Sequence, residues 1–246
     1  MASQGEQSFI EHLVDLRTCI IRTLWIIIIG FGVCFSFKDK IFDVIRAPIV
    51  PYLGPNGYLV FTAPIDKFTS YIKVSFLAGI ILTCPLWLYQ IWLFVAPGLY
   101  KKEKKMAAYF IISGSLLFAV GVSFVYEIVY PMAFKYLLTF GGETDKPMIT
   151  ITEYLSFFIT TTLIFGAAFE MPLILAVLAV MGVIDDKFLR TKRRYAVMII
   201  AIISAIITPP DAISMLAMLA PMLLLYEISI LIVSQITKNN LAKNKI

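Results

Sequence analysis

Charge is scarce in this chain: 15% of its residues are Asp, Glu, Lys or Arg, where soluble domains carry about 25%. It has one histidine, His12, and three cysteines, Cys19, Cys34 and Cys84, with no CxxC spacing among them. A Cys/His metal framework and a disulfide scaffold are both excluded, and the thiols read as buried and inert. No HExxH, GxSxG or Walker loop occurs, so no enzyme, metal or cofactor is expected. The net charge of +5 is not gathered on a soluble module, which argues against nucleic acid as a partner. Residues 1–16 hold no Lys or Arg, so neither a cleavable signal peptide nor an organellar transit peptide is expected. The paired broken helices of many transporters are also missing.

What the chain has in abundance is apolar sequence. Sixty per cent of its residues are hydrophobic and the mean hydropathy is +0.87. The apolar stretches are continuous rather than alternating, which disfavours a membrane β-barrel. The expected fold is an all-α integral membrane protein, a single polytopic domain over residues 1–246. Six spans are placed at about 19–37, 71–95, 106–130, 154–180, 195–208 and 212–227.

Ser8-Phe9-Ile10-Glu11 matches a capping box and marks a helix start. Phe9, Leu13, Leu16 and Ile20 share one helical face and Glu11, Asp15, Thr18 and Arg22 another, so a surface-lying turn or two runs into span one. The loop after span one, with Pro48, Pro51, Pro55 and Pro64, reads as a packed cap. Pro85 should kink span two, Pro131 should close span three, and Pro172 follows Glu170 inside span four. Spans five and six hold only about 14–15 residues, or 21–23 Å, against a hydrocarbon core of ~30 Å. Both last helices are thus expected to be short, with thinned or snorkelled lipid beside them. Fourteen of the 21 Lys and Arg lie in the N-terminal segment, the Lys101–Lys105 turn, the Lys187–Arg194 loop and the tail from Lys238. Those four regions face the cytoplasm by the positive-inside rule, so both termini are inside.

One carboxylate stands apart. Glu170 lies near the middle of the apolar run Tyr154–Val180 with no Lys or Arg within a helical turn. An acid there costs roughly 2.5–3.5 kcal/mol on insertion scales. Taken alone it is a proton site, a structural bond or a docking point. The absence of another deep ionisable group weakens the first reading, a proton-coupled secondary transporter with Glu170 as proton site. We read it as a polar contact in a concave face formed by kinked helices. Asp211, directly before span six, suits a helix N-cap; Glu227 and Glu127 read as interfacial.

Five blocks in order resemble the TatC family, the subunit of the twin-arginine protein translocase. They are His12-Leu13-Val14-Asp15-Leu16-Arg17; Leu88-Tyr89-Gln90-Ile91-Trp92 continuing to Pro97-Gly98-Leu99-Tyr100 and Glu103; Phe165-Gly166 with Phe169-Glu170-Met171-Pro172; Thr208-Pro209-Pro210-Asp211; and Leu224-Leu225-Tyr226-Glu227-Ile228. The chain departs from the family at Asp15, where Glu is usual, and at Cys19, where a basic residue is frequent. The resemblance implies a signal-peptide receptor and core subunit for export of folded proteins across the bacterial inner membrane, drawing on the proton-motive force. It implies Glu103 and Asp15, with Leu16 and Arg17, as the signal-peptide-binding residues. A carboxylate suits paired arginines because guanidinium bonds it through two parallel hydrogen bonds. It further implies that Glu170, with Gln90 as a weaker companion, meets a polar group on single-span partners of TatA or TatB type in a multi-copy complex. Pro48, Pro85, Pro172, Asp211 and Glu227 are carried as structural positions.

Overall fold

The computed structural model describes the backbone of residues 4–53, 58–95, 107–139, 148–207 and 212–243, and side chains within those ranges from Leu13 to Lys238. The described residues are almost entirely helical: α1 Gln4–Phe35, α2 Lys38–Arg46, α3 Asp66–Leu82, α4 Cys84–Val95 and α5 Ala107–Phe124. They continue with α6 Tyr130–Thr139, α7 Ile151–Phe169, α8 Met171–Val180, α9 Asp186–Ile207 and α10 Ala212–Lys243. Four stretches are long and apolar enough to cross a membrane: Leu13–Phe35, Ala108–Leu138, Ile151–Val180 and Met215–Lys238. The bent pair α3–α4 makes a fifth. The chain is a multi-pass membrane protein.

Expected boundaries differ from the observed ones in three places. Helix α1 is already formed at Gln4, so Ser8 is not its cap. Pro131 does not end span three; a π turn at Val125–Val129 precedes it and the helix runs on to Thr139. A proline ring clashes with the carbonyl one turn back, that of Glu127, and the widened turn around that residue gives the ring room. Span six does not stop at Glu227, because α10 is 32 residues long and passes through it. Glu227 is tolerated there because Arg193 of α9 meets it at 2.7 Å. Only α9 keeps the character of a short span: Lys187, Arg190, Lys192, Arg193 and Arg194 occupy its first half, leaving apolar sequence from Tyr195 onward.

At the break before Pro85, two carbonyls of the last turn of α3 accept side-chain donors. Helices α3 and α4 meet at 59°, with Pro85 in the first turn of α4, where a backbone N–H would have no helical acceptor. The Gly79 carbonyl accepts the Thr83 hydroxyl at 2.7 Å, and the Ile80 carbonyl accepts Trp87 Nε1 at 3.1 Å.

The cap is held to the bundle by tyrosines. Tyr126 donates to the Val44 carbonyl at 2.8 Å and Tyr154 to the Ile45 carbonyl, so the exposed end of α2 is closed by hydroxyls from the bundle. Buried Pro48 and Ile49 follow. Residues Val60 and Thr150 form a short parallel bridge in which the Val60 N–H donates to the Ile149 carbonyl and the Ile151 N–H to the Val60 carbonyl, each at 3.0 Å. Below this cap the core centres on α7. Tyr130 is fully buried there, donating to the Phe158 carbonyl at 2.6 Å, with the Thr162 hydroxyl at 2.7 Å and its ring stacked 4.3 Å from Phe158.

Candidate binding sites on the bundle

Close helix contact positions the first site. Gly30 of α1 and Gly79 of α3 touch: a Cβ on Gly79 would lie 2.7 Å from the Phe31 nitrogen. Small residues allow such backbone approach in membranes. Eleven residues further from that crossing on each chain, the Cys19 thiol meets the Gln90 carbonyl at 3.3 Å. The α3–α4 break thus does not carry α4 away from α1.

Between α1 and α4 lies a cavity of about 250 Å³ lined by Asp15, Thr18, Cys19, Arg22, Gln90, Leu93 and Phe94. The fold brings Asp15 and Gln90 to one cavity, although the sequence reading set Gln90 beside Glu170. Leu16 and Arg17 are exposed and line no part of it. Among the described residues Asp15 has no cation within ion-pair distance, Arg22 included. A carboxylate, a neutral amide and one cation therefore share a small, partly apolar cavity. Such a set accepts a planar donor such as guanidinium. The sequence placed Arg22 on the face of Asp15 and Thr18, seven residues or two turns on, but did not assign it to a site. Glu103 and Asp211 lie outside the described residues.

The second site is Glu170. It is the residue between α7 and α8, with its N–H donated to the Ala167 carbonyl at 3.1 Å and its own carbonyl accepting from Ile174 at 2.9 Å. Pro172 sits in the first turn of α8, so its missing N–H leaves no gap in the ladder. The side chain is not on an open surface: the residue is 5% exposed. Glycines on α5 and α7 produce this burial. A Cβ on Gly114 would stand 3.2 Å from Glu170 Oε2, one on Gly121 would stand 2.8 Å from Phe169 Cγ, and one on Gly166 would stand 2.6 Å from Phe118 Cε2. Two phenylalanines and the carboxylate each fill a hollow left by a glycine. Oε1 has no hydrogen-bond partner in the described structure. A buried acceptor left open costs about 1–3 kcal/mol, more if charged; among the described residues Ser75 Oγ and Thr161 Oγ1 are likewise open, but only Glu170 is a carboxylate.

Glu227 is half exposed and paired with Arg193, while Tyr226 donates to the Leu189 carbonyl at 2.9 Å. These two bonds clamp α9 to α10. Among the described residues no group of three or more His, Cys, Asp or Glu could hold a metal ion.

Comparison with known proteins bears on these sites. A family model described as Sec-independent protein translocase protein (TatC) matches residues 11–221. The Sec-independent protein translocase protein TatC of Desulforapulum autotrophicum is 40% identical, covering 94% of this chain and 86% of its own length. That of Koribacter versatilis is 42% identical over 91% of this chain and 83% of its own. A crystal structure of a twin arginine translocase receptor, TatC, superposes with a TM-score of 0.83 at 37% identity, over 92% of this chain and 99% of that one.

Proposed function

Because the chain belongs to the TatC family of Sec-independent protein translocase proteins, we propose that it is the receptor and core subunit that admits folded export substrates bearing twin-arginine signal peptides. Its role is binding, not catalysis, and the transport work draws on the proton-motive force. It crosses the bacterial inner membrane six times with both termini in the cytoplasm, α9 supplying the crossing that is too short and too basic to stand out by hydropathy.

The observation that carries the reading is that Asp15 and Gln90 line one α1–α4 cavity, with no cation at ion-pair distance from Asp15 among the described residues. One arginine of the signal pairs with Asp15 through two hydrogen bonds, and Glu103 from the adjoining segment takes the other. Lysines would make point contacts in place of the two-pronged bond. The alternative of a proton-coupled secondary transporter has no support from the family.

Glu170 docks the membrane helix of a TatA- or TatB-type partner through a polar side chain. Its open Oε1 supports that assignment, and its burial means that the α5–α8 seam must part, or the side chain rotate, on docking. A buried polar contact in lipid is worth about 0.6–2 kcal/mol, enough to set register.

Photocrosslinking tests the receptor site. A twin-arginine peptide carrying a photoreactive residue beside the pair should label α1 near Asp15 and the Glu103 segment, and Asp15→Lys and Glu103→Lys should each reduce labelling at least tenfold. Equal labelling by a lysine-pair peptide, or none of these losses, removes the assignment.

A further inference from the structure

Beneath the cap, α1, α2, α3, α5, the π turn and α7 enclose a second cavity of about 440 Å³, within the size range of ligand sites. Its walls include Lys40, Val44, Leu77, Ala78, Phe158 and Thr162, and Lys40 is the one charged side chain on them among the described residues, beside the Cys34 thiol and the Tyr126 hydroxyl, which is committed to Val44. The amphipathic α2 separates its charges. Asp39, Asp43 and Arg46 turn to a different hollow under the cap, while Lys40 turns to this one. The neighbouring cations are engaged: Arg46 pairs with Asp43 at 3.0 Å, Lys38 lies over the Phe35 and Tyr71 rings, and Lys67 over Tyr71. Lys40 has no such partner among the described residues and is exposed.

The depth of each wall follows from the spans. The apolar part of α1 ends at Phe35, so Lys40 stands just past it, at headgroup level. Phe158 and Thr162 come seven and eleven residues after Ile151, about 10–16 Å down α7. A cation at the rim above an apolar well matches the shape and polarity of a phospholipid. Water is a poor occupant, because apolar cavities stay dry, and emptiness forfeits dispersion contacts along every wall. A partner helix does not fit: at a width of about 10 Å, this volume holds only about one turn.

We propose that this cavity binds one acyl chain of an anionic phospholipid whose phosphate pairs with Lys40. The site is distinct from the Asp15 cavity and from Glu170, and does not depend on the receptor reading.

The test places the full chain in nanodiscs of phosphatidylcholine with a trace of either phosphatidylglycerol or phosphatidylcholine carrying a diazirine on one chain, and maps crosslinks by mass spectrometry. The phosphatidylglycerol probe should label the peptides holding Leu77–Leu82 and Phe158–Thr162 about fivefold more than the phosphatidylcholine probe, the worth of one cation beside an anionic surface. Lys40→Gln should bring the two probes level. Ala78→Phe should lower labelling of both peptides by either probe while leaving the lipid-facing α1 residues Leu24 and Ile28 labelled as before. The proposal is overturned by equal labelling by the two probes in the wild type, by an undiminished preference in Lys40→Gln, or by labels on α1 with none on the cavity walls.

Discussion

Tyr130 ties α6 to α7 with one hydroxyl and one ring: it stands at the start of α6, bonds the Phe158 carbonyl and Thr162, and stacks on Phe158. Tyr130→Phe keeps the ring and strands the Thr162 hydroxyl, so stability in detergent should fall by about 1–3 kcal/mol, read as a lower thermal midpoint. An unchanged midpoint would mean that Thr162 is satisfied by its own helix. Asp66 is the counterpart at the rim. Its Oδ2 accepts from the Ala63 N–H at 2.8 Å and from the Thr62 N–H and hydroxyl at 2.9 Å each. The Ala63 N–H, followed by the Thr62 hydroxyl, holds this carboxyl below its ordinary value of 3.8. A lowered folded-state pKa stabilises the fold above the ordinary value and stops doing so as pH falls through the folded one. The turn at 62–66 should therefore loosen only below about pH 4, and Asp66→Asn should speed amide exchange at Ala63 at neutral pH. Protection equal to wild type would sink that account.

At the scale of elements, glycine sets which helices touch. A methyl group on Gly79 meets backbone atoms of Phe31 and Gly30, which cannot rotate aside, whereas one on Gly32 meets nothing within 4 Å. Gly79→Ala should therefore destabilise by about 1–3 kcal/mol, and Gly32→Ala should be neutral or slightly stabilising through helix propensity. Denaturation in mixed micelles separates the two; equal effects would rule out the close crossing. The same reasoning accounts for Glu170. Proximity of Pro172 marked a disturbed helix in the sequence, but burial of the carboxylate needed Gly114 on another helix, 56 residues earlier, and no local pattern connects them.

For the whole molecule, on the proposed six-span topology, the mismatch with the bilayer rests on α9 among the described helices. Its apolar part from Tyr195 to Ile207 is 13 residues, about 20 Å, while α10 offers a 24-residue stretch, Met215–Lys238, apolar enough on average to cross. Arg193–Glu227 and Tyr226–Leu189 lock the two helices side by side, so α9 cannot slide to compensate. Reconstituted in phosphatidylcholine bilayers of graded chain length, the protein should show its highest thermal stability in bilayers thinner than the ~30 Å average. A maximum at or above that thickness would show that the basic residues of α9 snorkel far enough to remove the mismatch.

Hydropathy is additive along a chain, so the sequence by itself determined that this is a helical membrane protein, where most of its crossings lie, and that Pro85 breaks one of them. The five motif blocks determined the family. Tertiary structure decided the features that depend on a partner from elsewhere in the chain. A widened turn let α6 continue past Pro131, and Arg193 let α10 pass through Glu227. The α1–α4 contact brought Asp15 to Gln90, and glycines on α5 turned Glu170 inward. In each case a local signal for stopping or for exposure was overridden by packing or pairing across the bundle, because in lipid a polar group or a freed carbonyl is stable only where another helix completes it.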